Sequence, residues 1–143
     1  MDAQPVEGTR MTQDEVLVAN EAFYAAVEVG DLDRLRELCC SGRELVCVHP
    51  GVEPIHGTSG VLRSWALIMA NAEYIQFFLT DVTVSGAGDG AAVTCTENIL
   101  TAGQAQTATF HGGKARALNV FAREGTGWRL WIHQASPVGS GAI

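Results

Sequence analysis

His49 ends the apolar run Leu45-Val46-Cys47-Val48, and Pro50-Gly51 stops that run at once. Proline donates no ladder hydrogen bond and glycine permits the turn, so the imidazole is the last side chain of a short buried strand. Imidazole titrates near ~6.5 without help and can take up a proton at neutral pH. The alternative is a strand-end ring satisfied by a nearby carbonyl. Three further polar groups interrupt apolar rows. Asn119 shares a strand face with Ala117 and Phe121, Glu97 stands alone in the row Ala91, Val93, Cys95, Glu97 and Ile99, and His133 shares a face with Trp131. A buried amide needs partners, and a buried unpaired carboxylate is costly. Asn119 is therefore either internally satisfied or a hydrogen-bond donor to a ligand carbonyl or developing oxyanion. Glu97 is expected to pair with Arg116 or Arg123 of the neighbouring strand, or else to fix a histidine. His133 faces either a cavity or a subunit interface, since Trp128, Leu130 and Ile132 make the other face of its strand apolar too.

Other chemistries lack their residues. His49, His56, His133 and Glu97 show no i, i+3 or i, i+4 pairing on a helix, so no metal site is expected. No phosphate-binding loop, dinucleotide fingerprint or Ser-His-Asp order occurs, and no cofactor is implied. Cys39, Cys40, Cys47 and Cys95 form no CxxC pair and read as small buried hydrophobes in a reducing compartment. The net charge of -7 with only nine Lys and Arg residues argues against nucleic-acid and anionic-membrane partners. No apolar run reaches the ~20 residues of a membrane span, and the first ten residues are polar and acidic, so a cytoplasmic location is expected.

The elements that must hold these groups fit one domain, since 143 residues with 47% hydrophobic content can build a core. Residues 1–11 read as a flexible lead-in. Thr12 and Glu15 suit a capping box at the start of a helix that buries Val16, Ala19, Phe23, Ala26 and Val27, turns Asn20, Glu21 and Glu28 to water, and stops at Gly30. Asp31 can cap a second helix, and Thr58-Ser59 a third that carries Val61, Trp65, Ile68 and Met69. The period then changes to two, and 74–84, 91–100, 114–123 and 128–135 read as strands of an antiparallel meander. Phe23, Tyr24, Trp65, Tyr74 and Phe121 are read as core or cavity wall. Residues 101–113 fit either an extended hairpin or a flap, and 138–143 a flexible tail. Helices first and a meander afterwards make the fold α+β.

This order of elements resembles the nuclear transport factor 2-like superfamily, and within it the SnoaL-like branch, whose relatives include polyketide cyclases and ketosteroid isomerases. Phe23-Tyr24-Ala25-Ala26, Gly30-Asp31-Leu32, Cys47-Val48-His49-Pro50-Gly51 and Trp128-Arg129-Leu130 carry the resemblance over residues 12–137. It implies a cystatin-like cone, with N-terminal helices packed on a strongly curved, mostly antiparallel sheet around an apolar cavity. It also implies a homodimer through the outer sheet face. Ketosteroid isomerase chemistry does not carry over: its tyrosine position falls on Phe23, its base on His49 and its acid on Asn119. Tyr24 stands one residue late, about 100° round the helix. The expectation is thus a small-molecule-binding domain for an apolar, oxygen-bearing ligand, with His49 and Asn119 as the catalytic pair and Phe23, Tyr24, Trp65, Tyr74, Glu97, Phe121 and His133 around the ligand. If it is an enzyme, it performs isomerase-, cyclase- or hydratase-type acid-base chemistry without a cofactor. The alternative is a non-enzymatic association module.

Overall fold

Val16, Asn20, Phe23, Tyr24 and Val27 recur every three or four residues and form one buried stripe. They lie along α1 (Glu7–Val29), in a computed structural model that describes residues 7–103 and 110–138. Two expectations for this helix are corrected. It already runs at Glu7, so Thr12 and Glu15 lie inside it and residues 7–11 are no lead-in. Asn20 sits one turn from both Val16 and Tyr24, which places it in the interior and not in water.

Gly30 ends α1 with φ +69, the left-handed conformation that glycine takes without strain. Asp31 then caps α2 (Leu32–Leu38), its Oδ1 accepting the Arg34 N–H at 2.9 Å. The helix α3 (Thr58–Asn71) begins differently from expectation. Gly57 takes the cap position with φ +91, and no side chain bonds the first turn.

Six strands make one sheet: β1 (Val46–Val48), β2 (Ile55–His56), β3 (Ala72–Ala87), β4 (Gly90–Gly103), β5 (Phe110–Glu124) and β6 (Gly127–Pro137). Their order is β2-β1-β6-β5-β4-β3, and only β1 and β6 run parallel. Ile55 and His56 pair with β1 at the sheet edge. The long strands are the expected meander, and the open stretch 101–113 extends the β4 and β5 hairpin at both ends. Its residues 104–109, like 1–6 and the tail from 139, lie outside the described residues.

Bulges bend this sheet around the helices. In β6, Ile132 pairs with Val120 but Leu130 pairs with Phe121, which leaves Trp131 as an extra residue. The alternation flips there. His133 consequently joins Trp128, Leu130 and Ala135 on the buried face, and Trp131 is left partly exposed beneath Arg43. The expectation that His133 and Trp131 share a face is thus corrected by one inserted residue. The fold is α+β, with helices on the concave face of a curved mixed sheet.

Candidate functional site

β5 and β6 bring Asn119 opposite His133, and the parallel pairing of β1 with β6 sets Cys47 opposite His133. His49, one residue past the end of β1, therefore arrives beside the same place. The rings of His49 and His133 lie 6.4 Å apart, centroid to centroid. Trp65 of α3 packs against both, 4.8 Å from His49 and 5.5 Å from His133. Phe23 of α1 closes the far side, 5.2 Å from His133 and 5.4 Å from Trp65. Two aromatic rings thus pack against the imidazole pair, and burial holds both imidazoles neutral. The pKa of His49 is lowered by desolvation, and that of His133 falls to about 3, for the same reason and because His49 lies close by.

The hydrogen bonds fix where each ring keeps its proton. Ser64 Oγ donates its one hydrogen to the Val61 carbonyl at 2.6 Å, so at 2.8 Å it must accept from His49 Nε2. The His49 lone pair is then on Nδ1; the Cys47 thiol lies nearer the other ring nitrogen, 3.4 Å from Nε2 against 3.9 Å from Nδ1. On the other side, Asn119 Nδ2 donates to Asn20 Oδ1 at 2.9 Å and to the Tyr24 hydroxyl at 3.0 Å. Its Oδ1 faces His133 Nδ1 at 2.5 Å, so His133 donates from Nδ1 and its lone pair is on Nε2. The chain ends at Glu97, whose Oε2 accepts the Tyr24 hydroxyl at 2.6 Å. Burial pushes the Glu97 carboxyl up, and the phenol's hydrogen bond partly offsets this; burial also raises the Tyr24 phenol far above its ordinary range.

Several expectations change here. Both amide hydrogens of Asn119 are committed inside the protein, so it has none left for a ligand oxygen, and its work is to hold His133. Glu97 pairs with Tyr24, not with an arginine. Arg116 donates instead to Thr96 Oγ1 at 2.7 Å, and Arg123 stacks on Trp128 and approaches Glu15. Tyr24 brings its hydroxyl into the interior although it sits a helical step from Phe23, because both residues belong to the broad buried stripe of α1. Tyr74 is removed from the interior: it is 39% exposed, and its hydroxyl donates to Gln76. Phe121 lies on the inner face opposite Leu130, beyond the bulge from His133. The residues that sequence reasoning missed are Ser64 and Asn20. Asn20 carried a signal in its four-residue spacing from Val16 and Tyr24; Ser64 carried none.

His56 lies at the surface, its Nδ1 2.9 Å from Glu44 Oε1. All four cysteines are buried and free, and burial lifts the Cys39 and Cys47 thiols to about 12, which makes them poor nucleophiles at neutral pH. Among the described residues no cluster of His, Cys, Asp and Glu is placed to hold a metal ion, and no helix is long and apolar enough to cross a membrane.

The model of the SnoaL-like domain matches residues 16–140. The chain belongs to the SnoaL-like family. Solved structures agree in architecture. A candidate dehydratase of the NTF2-like family from Streptomyces avermitilis is 47% identical, with a TM-score of 0.86 over 91% of this chain and 99% of that one. A candidate calcium/calmodulin-dependent protein kinase type II association domain from Thiobacillus denitrificans is 26% identical, with a TM-score of 0.72 over 86% and 94%. An NTF2-like superfamily protein from Salmonella enterica shares the fold at 17% identity, with a TM-score of 0.83 over 93% and 96%. No curated protein matches the SnoaL-like chain.

Proposed function

We propose that this SnoaL-like domain is a cofactor-independent enzyme of the dehydratase type, acting on a small apolar molecule that carries a carbonyl and a hydroxyl group. The observation that carries the reading is the pair of neutral imidazoles, each with its proton committed to a protein acceptor and a lone pair left over. A neutral ring buried against Trp65 can take a proton from carbon next to a carbonyl, where an imidazolium could not. His49 is the base, on Nδ1. His133 Nε2 accepts a hydrogen bond from the substrate hydroxyl and so fixes the leaving group. Proton uptake by His49 and its return to the departing oxygen then release water and leave a conjugated double bond. The 47% identity with the candidate dehydratase supports this choice among the acid-base reactions open to the site.

The test is a panel of β-hydroxy carbonyl compounds, followed by the ultraviolet absorbance of the enone or enoyl product. Turnover by the wild type that is lost in His49→Gln is the expected result. If no compound is either bound or converted, the enzyme reading fails and the association reading takes its place.

That second reading has its own observation. Tyr74, Phe78 and Val138 are exposed large hydrophobics, and Phe78 and Val138 border a shallow groove over β4 and β5 with Ile99 and Leu100. Exposed apolar surface of this kind suits a protein partner. A second copy of the chain is the partner we assign to it, and such a dimer is compatible with either function.

A further inference from the structure

The proton positions in the interior are not independent of one another. The Tyr24 phenol donates its single hydrogen to Glu97 Oε2 at 2.6 Å. The phenol oxygen is thereby left to accept, and it does so from Asn119 Nδ2 at 3.0 Å. This turns the amide so that its second hydrogen meets Asn20 Oδ1 and its oxygen meets His133 Nδ1. An amide oxygen can only accept. His133 must carry its proton on Nδ1.

Reversing the first link reverses every other one. If the group at position 97 donated to the phenol, the phenol's hydrogen would turn either to the Cys95 sulfur, 3.7 Å away, or to the stronger acceptor Asn119; toward Asn119, the amide would flip and its NH2 would face His133 Nδ1. That nitrogen would then have to accept, and the His133 proton would move to Nε2. Asn20 follows either way, since its own amide can present oxygen or nitrogen.

We propose that Glu97 is a positioning residue which, acting through Tyr24 and Asn119, dictates that His133 holds its proton on Nδ1 and keeps Nε2 basic. The link from Glu97 to the imidazole runs through Tyr24 and Asn119. Its role accounts for a carboxylate buried to 4% exposure with a phenol for its partner, an arrangement that costs stability and that an apolar residue would avoid. The catalytic meaning of the tautomer rests on the function proposed above, but the tautomer itself can be read in the resting protein without substrate or turnover.

The experiment is long-range proton–nitrogen NMR of protein labelled with 15N-histidine, with the His133 signals identified by their absence in His133→Gln. In the wild type Nδ1 should resonate as the protonated nitrogen and Nε2 as the unprotonated one. In Glu97→Gln, a change of equal size, the side chain can give as well as take a hydrogen bond. There both tautomers should populate, and the Nε2 signal should move toward the protonated position. Glu97→Leu, which removes the acceptor altogether, should move it further. A wild type protonated on Nε2, or a Glu97→Gln spectrum in which His133 is unchanged, overturns the proposal. Inactivity toward every β-hydroxy carbonyl compound, with the tautomer shift present, would instead overturn the reaction and leave this inference standing.

Discussion

At the residue scale, burial decides the charge of the site and hydrogen bonding decides its proton positions. His49 is half-buried and its polar link runs to Ser64 on α3. His49→Ala should therefore lower turnover by about 10²- to 10⁴-fold, the usual share of a general base, while the melting temperature barely moves. A large loss of stability with turnover intact would make the ring a packing residue. His133 has the opposite profile. Its folded pKa of about 3 lies below the ordinary value of 6.5, so the unfolded chain takes up the proton first as pH falls. The stability that its neutral state contributes is complete above pH 6.5 and is lost as pH drops toward 3, and His49 adds to the loss with the same sign. Glu97, raised above its ordinary value of 4.5, works in the other direction: its contribution is present below that value and fades as pH rises. Melting curves between pH 7 and 4 should thus fall less steeply in His133→Gln than in the wild type, and parallel curves would refute the neutral buried ring. Sequence alone could mark His49, Asn119, Glu97 and His133 as polar groups on apolar rows. It could not join them, because Glu97 and Tyr24 are 73 positions apart and meet only across the folded core.

At the element scale, local signals were legible where one residue does one job. Gly30 and Asp31 mark the break between α1 and α2, and both serve as their types suggest. Asp31→Ala should cost about 1 kcal/mol of unfolding free energy in urea titration, the usual value of a side-chain cap. An unchanged midpoint would mean that the Arg34 N–H finds another acceptor. The start of α1 was harder to place, because the Thr12 and Glu15 pattern looks the same inside a helix as at its end. The bulge at Trp131 was not legible at all. A strict alternation puts His133 with Trp131, and nothing in the local sequence announces the extra residue; the pairing of β5 with β6 determines it. Yet that bulge turns His133 inward, so the site depends on an irregularity that periodicity arguments smooth away.

At the scale of the whole molecule, the sheet has two faces with different fates. The inner one is covered by α1 and α3 and holds the polar chain. The outer one keeps Tyr74, Phe78 and Val138 in contact with water, Phe78 with 51% of its surface exposed. Alternation along β6 made a strand apolar on both faces legible in the sequence, but which residues face out follows only from the bulge and the helices that claim the other side. A second copy seated on this face would withdraw Phe78 and the groove beside it from water, and the gain scales with the apolar area covered, about 25 cal/mol per Å² before the costs of association. Sedimentation equilibrium should therefore show the wild type as a dimer and Phe78→Glu as a monomer with an unchanged circular dichroism spectrum, since the side chain lies outside the core. If His49 and His133 form a site complete within one chain, the Phe78→Glu monomer should keep its ligand affinity and its His133 tautomer. A wild-type monomer at all concentrations would remove the dimer, and a monomeric variant that loses the tautomer would show that the interface also holds the interior in register.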